Sequence, residues 1–109
     1  MNRQQQLDQF SLALHRRAMA ALHLDPAQRE RARQTLARWR QQSGETRSDV
    51  LWNEWEQLLA SDLDVLTRAA LDDSEHGQLM RSVSPLGVLV SQAERMTLLQ
   101  QAREEAAVP

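Results

Sequence analysis

Leu51, Trp52, Trp55, Leu58 and Leu59 fall within about one third of the circumference of a helix turning about 100° per residue. That stripe is the strongest core signal in the chain, and no pair of alternating apolar and polar segments offers a sheet instead. The fold class expected is therefore all-α. Leu7, Phe10, Leu14, Ala18, Ala21 and Leu22 recur at spacings of three and four, which predicts a first helix from about Asn2 to His23 with those residues on its core face. Asp25-Pro26, with Gln28 completing a capping-box pattern, starts a second helix of about 26 to 42, and Gly44 stops it.

Ser48 or Thr46 can cap the third helix, which carries the stripe and runs to about residue 60. Ser61 with Asp64 signals another helix through Leu71. The turn Asp72-Asp73-Ser74-Glu75 leads into a short helical segment up to Val83, ended by Ser84 and Pro85. Leu86 to Val90 has the composition of a short strand or an apolar connector; with nothing to pair with, it reads as a buried connector. Ser91 with Glu94 forms the clearest capping box and begins a last helix from Gln92 to about Ala106. Short connections and the absence of repeats predict a single domain over residues 1–109, a compact bundle of about five short helices.

Composition removes several classes of function. With no cysteine, disulfide frameworks, cysteine-rich zinc sites and thiol catalysis are excluded. The longest apolar run is too short to span a bilayer and the polar start has no signal-peptide core, so a cytoplasmic location is expected. His15 and His23 lie eight apart, His76 sits in an acidic turn, and neither arrangement has metal-chelating spacing. No phosphate loop, nucleophile elbow or acid–base pair is visible, so the chain is read as a non-enzyme without cofactor or metal.

All thirteen basic residues are arginine, and they are unevenly placed. Residues 1–47 hold nine arginines against four acids; residues 48–109 hold four against eleven. The second helix carries Arg29, Arg33 and Arg40 beside an Ala32, Leu36 and Trp39 stripe, with Arg31 and Arg38 on the far side. One reading makes Arg29, Arg33 and Arg40 a phosphate-binding surface for nucleic acid. The other has them face the acidic half of the same chain or simply stay hydrated, and the sequence pI of 5.9 favours that one.

Leu12, His15 and Met19 mark a second face on the first helix, to be covered by the last helix, by a partner protein or by a second copy in a homodimer. Arg95 projects into the Leu98, Leu99 and Ala102 side of the last helix, where it needs either a carboxylate or a route to water.

The segment Ser74 to Arg95, SEHGQLMRSVSPLGVLVSQAER, resembles the carboxy-terminal signature of a family of short bacterial helical proteins of poorly defined function. The matching residues are Glu75, Arg81, Ser84, Pro85, Val88, Leu89, Ser91, Glu94 and Arg95, with a looser match over Trp55 to Leu59. The pattern departs at Leu86, where Phe is expected, and at Met80, where Leu is expected. Proteins of that kind resemble companions of toxin–antitoxin or regulatory genes. The resemblance implies an accessory, antitoxin-like or regulatory role without fixing a partner; with the missing catalytic motifs, the charge polarisation and the second apolar face, the expectation is a non-catalytic protein that binds another protein, such as one encoded nearby. Its partner-binding residues are expected among Leu12, His15, Met19, Arg81 and Arg95; the nucleic-acid regulator using Arg29, Arg33 and Arg40 is the alternative.

Overall fold

The computed structural model describes residues 2–107, and most of them are helical. Six α-helices form in chain order: α1 (Arg3–Leu24), α2 (Arg29–Ser43), α3 (Asp49–Leu59), α4 (Leu63–Ala70), α5 (Glu75–Ser82) and α6 (Gln92–Ala107). Two short 3-10 helices, Pro26–Gln28 and Pro85–Leu89, lead into α2 and separate α5 from α6. No strand occurs among the described residues, so the all-α expectation holds. The count of about five is corrected to six, because the short segment after the acidic turn is a capped helix in its own right.

The expected connector at Leu86–Val90 also differs. Pro85 fixes a helical φ, the Ser84 hydroxyl accepts the Leu86 N–H at 3.0 Å, and the chain winds into a 3-10 helix that buries Pro85, Leu86 and Leu89.

The long helix α1 is the element around which the others gather: α4, α5, α6 and the Pro85–Leu89 helix all pack on it. It opens with a capping box, in which Asn2 Oδ1 accepts the Gln5 N–H at 2.8 Å and the Asn2 N–H donates to Gln5 Oε1 at 3.2 Å. Of its predicted stripe, Leu14, Ala18 and Leu22 are buried, whereas Leu7 is 48 % exposed and Phe10 is half-buried. The core therefore occupies only the carboxy-terminal two thirds of α1.

The α3 stripe behaves as its spacing requires: Trp52, Trp55 and Leu59 are buried, and Leu51 and Leu58 pack at the edge. Both indoles have a second task. Trp55 Nε1–H donates to the Met80 carbonyl at 2.8 Å and Trp52 Nε1–H to the Val83 carbonyl at 3.0 Å. These carbonyls lie at the end of α5, where the Met80 carbonyl also accepts the Val83 N–H at 3.3 Å, so the two tryptophans add donors to the end of α5 as well as fill the core.

Several caps fall elsewhere than expected. The Gln28 side chain donates to the Asp25 carboxylate instead of accepting its backbone N–H, so Asp25 tops the 3-10 turn and α2 starts at Arg29. Ser61 donates back to the Gln57 carbonyl, and Asp62 takes the N-cap position of α4. The Ser91–Glu94 box is formed, with the Glu94 N–H donating to Ser91 Oγ at 3.1 Å. Gly44 ends α2 with φ of +64°.

Gly77 is required for a different reason: a Cβ there would stand 2.0 Å from the Asp72 carbonyl oxygen, so α5 starts in direct contact with the preceding turn. Among the described residues no helix is long and apolar enough to cross a membrane.

Candidate functional site

Charge pairing explains part of the polarised sequence. Arg40 of α2 meets Glu56 of α3 at 2.9 Å, and Arg17 of α1 pairs with Glu94 of α6, so the basic half faces the acidic half within one chain. Arg29 Nη1 donates to the carbonyls of Leu59 and Ser61 at 3.1 and 2.6 Å, tying α2 to the end of α3. Arg33 lies 3.8 Å from Glu30 on its own helix. Of the three arginines expected to hold phosphates, Arg29 and Arg40 thus hold elements together, and Arg33 is exposed beside Glu30.

The second face of α1 is likewise occupied. His15 and Met19 are each only 2 % exposed, and Leu12 is half-buried. The ring of His15 stacks on Trp55 of α3 at a centroid distance of 6.4 Å. At His15 and Met19, then, the cover comes from the chain's own fold, not from a second copy.

What the structure does bring together is a cleft of about 530 Å³ between α1, α2, α5, the Pro85–Leu89 helix and α6. Its walls include Phe10, Ser11, Leu14 and His15 from α1 and Thr35, Arg38 and Trp39 from α2. Arg81 of α5, Ser84, Gly87, Val88 and Arg95 of α6 complete them. Three guanidinium groups line this space and, among the described residues, no carboxylate does. A volume of this size lies within the range of pockets that hold small molecules, roughly 300–1,000 Å³.

Each arginine is held differently. Arg81 is buried, and its Nη1 donates to the carbonyls of Ala70 at 3.2 Å and Asp72 at 2.5 Å, fastening the turn between α4 and α5. Arg95 is half-buried and donates from Nη2 to the Gly87 carbonyl at 3.0 Å. A backbone acceptor thus takes one nitrogen of its guanidinium, and no carboxylate pairs with it among the described residues. Arg38 is exposed at the cleft wall.

Two buried polar atoms in these walls have no hydrogen-bond partner: His15 Nε2 and Arg81 Nε. Such orphans are infrequent in folded proteins and ask for an explanation. His15 Nδ1 lies 2.7 Å from the Ser11 carbonyl, so Nδ1 carries the proton and donates, and Nε2 is left as an acceptor. Burial lowers the His15 pKa from 6.5 to about 4; the Ser11 bond opposes the shift and the nearby Arg81 charge adds to it. The imidazole is therefore neutral at pH 7, and the positive charge of the cleft comes from its arginines.

Arg81 and Arg95 were singled out from the sequence and do meet here, together with His15; Leu12 and Met19 are not part of the lining. Arg38, Trp39 and Phe10 were missed as site residues. Arg38 projects to the side of α2 away from its apolar stripe, and Trp39 and Phe10 read as core. Only the packing of α1 and α2 on the Pro85–Leu89 helix, and of α6 on α1, turns those positions toward one another. No group of three or more metal-ligating side chains occurs among the described residues. No family model, curated protein or solved structure matches the chain.

Proposed function

We propose that this chain is a non-catalytic binding protein that recognises an anionic group in the cleft between α1, α2, α5 and α6. The observation that carries the reading is the convergence of Arg38, Arg81 and Arg95 on one concavity whose described lining contains no carboxylate. Guanidinium groups in a partly desolvated cleft attract and orient oxyanions by charge-assisted hydrogen bonds. Binding without chemistry is supported by the state of the one titratable base in the walls. His15 is stacked on Trp55, its Nδ1 is engaged by Ser11, and no lining carboxylate stands behind it to set up proton transfer. Recognition without turnover also accords with the accessory, antitoxin-like role that the Ser-Pro to Glu-Arg likeness implies.

Calorimetric titration with inorganic phosphate at low salt tests the reading. Binding that weakens at least about tenfold in both Arg38→Gln and Arg95→Gln is expected, since each variant loses a charge-assisted contact of about 1.5–3 kcal/mol. No binding at millimolar phosphate, or equal affinity in wild type and both variants, would refute it.

A further inference from the structure

We infer that the anion is a phosphate monoester carried on a flat ring, with the phosphate among Arg38, Arg81 and Arg95 and the ring against Trp39 and Phe10. The inference rests on the anion-binding reading above and adds the ligand's class. Three independent features of the cleft lead to it.

The first is the charge count. Three lining arginines with no lining acid give the cleft a formal charge of about three, because His15 is neutral at pH 7. A phosphate monoester carries about −1.5 to −2 at that pH and presents three acceptor oxygens. A carboxylate carries one charge and two oxygens, so it would leave most of the positive charge unanswered.

The second is the orphaned donor. Both bonds that Arg81 makes to the turn between α4 and α5 leave from Nη1, and Nε–H has no partner although the residue is only 6 % exposed. Nε and Nη2 form the edge of a guanidinium suited to a two-point contact with an oxyanion. A phosphate oxygen supplies the acceptor that this edge lacks.

The third is the pair of half-buried aromatic walls. Phe10 and Trp39 come from different helices, and both line the cleft. Trp39 is already leaned on by Trp52, at a centroid distance of 6.3 Å and a tilt of 37°, which holds its indole in place before anything binds. A planar group stacking there gains affinity that an inorganic ion does not.

The test compares inorganic phosphate, phenyl phosphate, adenosine 5′-monophosphate and phosphotyrosine as ligands for the full chain, by calorimetry and by tryptophan fluorescence. Phenyl phosphate should bind at least about tenfold tighter than inorganic phosphate, a factor within the range of single-ring stacking. In Trp39→Leu the affinities for the two should converge, and in Arg95→Gln both should fall; circular dichroism establishes that each variant is folded, and Phe10→Leu replaces Trp39→Leu if that one is not. Whichever of adenosine 5′-monophosphate and phosphotyrosine gains more over inorganic phosphate identifies the source of the ring. Inorganic phosphate bound as tightly as all three ring-bearing esters would overturn the inference while leaving anion binding intact. No binding of any of the four would overturn both.

Discussion

The buried, neutral His15 makes the fold acid-sensitive in a defined window. In the unfolded chain the imidazole takes a proton near pH 6.5, whereas in the folded chain it resists protonation until about pH 4. The folded form therefore binds fewer protons between those values, and stability must fall as pH drops from 6.5 toward 4, with no contribution from this residue above that window. At about 1.4 kcal/mol for each pH unit separating the two values, the full loss is about 3 kcal/mol, of which about 2 kcal/mol is reached by pH 5.

That is a large part of the roughly 5–15 kcal/mol that typically separates folded and unfolded domains. Urea unfolding of the wild type at pH 7 and pH 5 measures it. The control is His15→Asn, which keeps an N–H toward the Ser11 carbonyl and does not titrate. The variant will be weaker at both pH values because it loses the stack on Trp55, but its loss between pH 7 and pH 5 should be smaller than that of the wild type by about 2 kcal/mol. Equal losses in the two proteins would refute the reasoning. So would an imidazole proton resonance of folded wild type that titrates at the ordinary histidine midpoint.

Three other outcomes follow from particular contacts. Gly77→Ala should cost about 3 kcal/mol, because the new methyl meets the Asp72 carbonyl at 2.0 Å and the start of α5 must move off the turn; a midpoint of denaturation close to wild type would contradict that geometry. Trp55→Phe should cost about 1 kcal/mol through the lost donor to the Met80 carbonyl, which keeps the Val83 N–H, and more through the space left by the smaller ring, measured by the same unfolding curves. Ser91→Ala removes the acceptor for the Glu94 N–H and should cost about 1 kcal/mol, with the amides of the first turn of α6 exchanging faster than the rest of that helix.

Much of the helical layout is visible in the chain itself because its signals are local. The Ser91–Glu94 box, the Gly44 stop and the Leu51 to Leu59 stripe each depend on residues a few positions apart, and each is found in the fold. The misplaced caps share a cause. At Asp25-Pro26 and at Ser61 the same residue types can bond backbone or side chain in more than one pattern, and tertiary context chooses. Leu7 and Phe10 continue the α1 stripe beyond the point where neighbouring helices cover it, so periodicity alone overextends the core.

The cleft was hidden for a stronger reason. Its walls come from positions between 10 and 95, and nothing in the neighbourhood of Arg38 marks it as the companion of Arg81 and Arg95. Those two could be singled out, one from the resemblance and one because it sits among apolar neighbours on α6, but their meeting is a product of topology.

Arg81 ties the turn between α4 and α5 to the cleft. One nitrogen of its guanidinium secures the carbonyls of Ala70 and Asp72, while the same planar group forms part of the cleft wall. A guanidinium moves as a rigid plane, so an anion that draws on one edge displaces or steadies the other. An anion bound as proposed would thermodynamically link occupancy of the cleft to order in the Leu71–Ser74 turn, so that whatever the ligand did to the turn, the turn would do in equal measure to the ligand. A protein that contacted the exposed Asp72 and Asp73 from outside would thereby alter the affinity of a site it never touches.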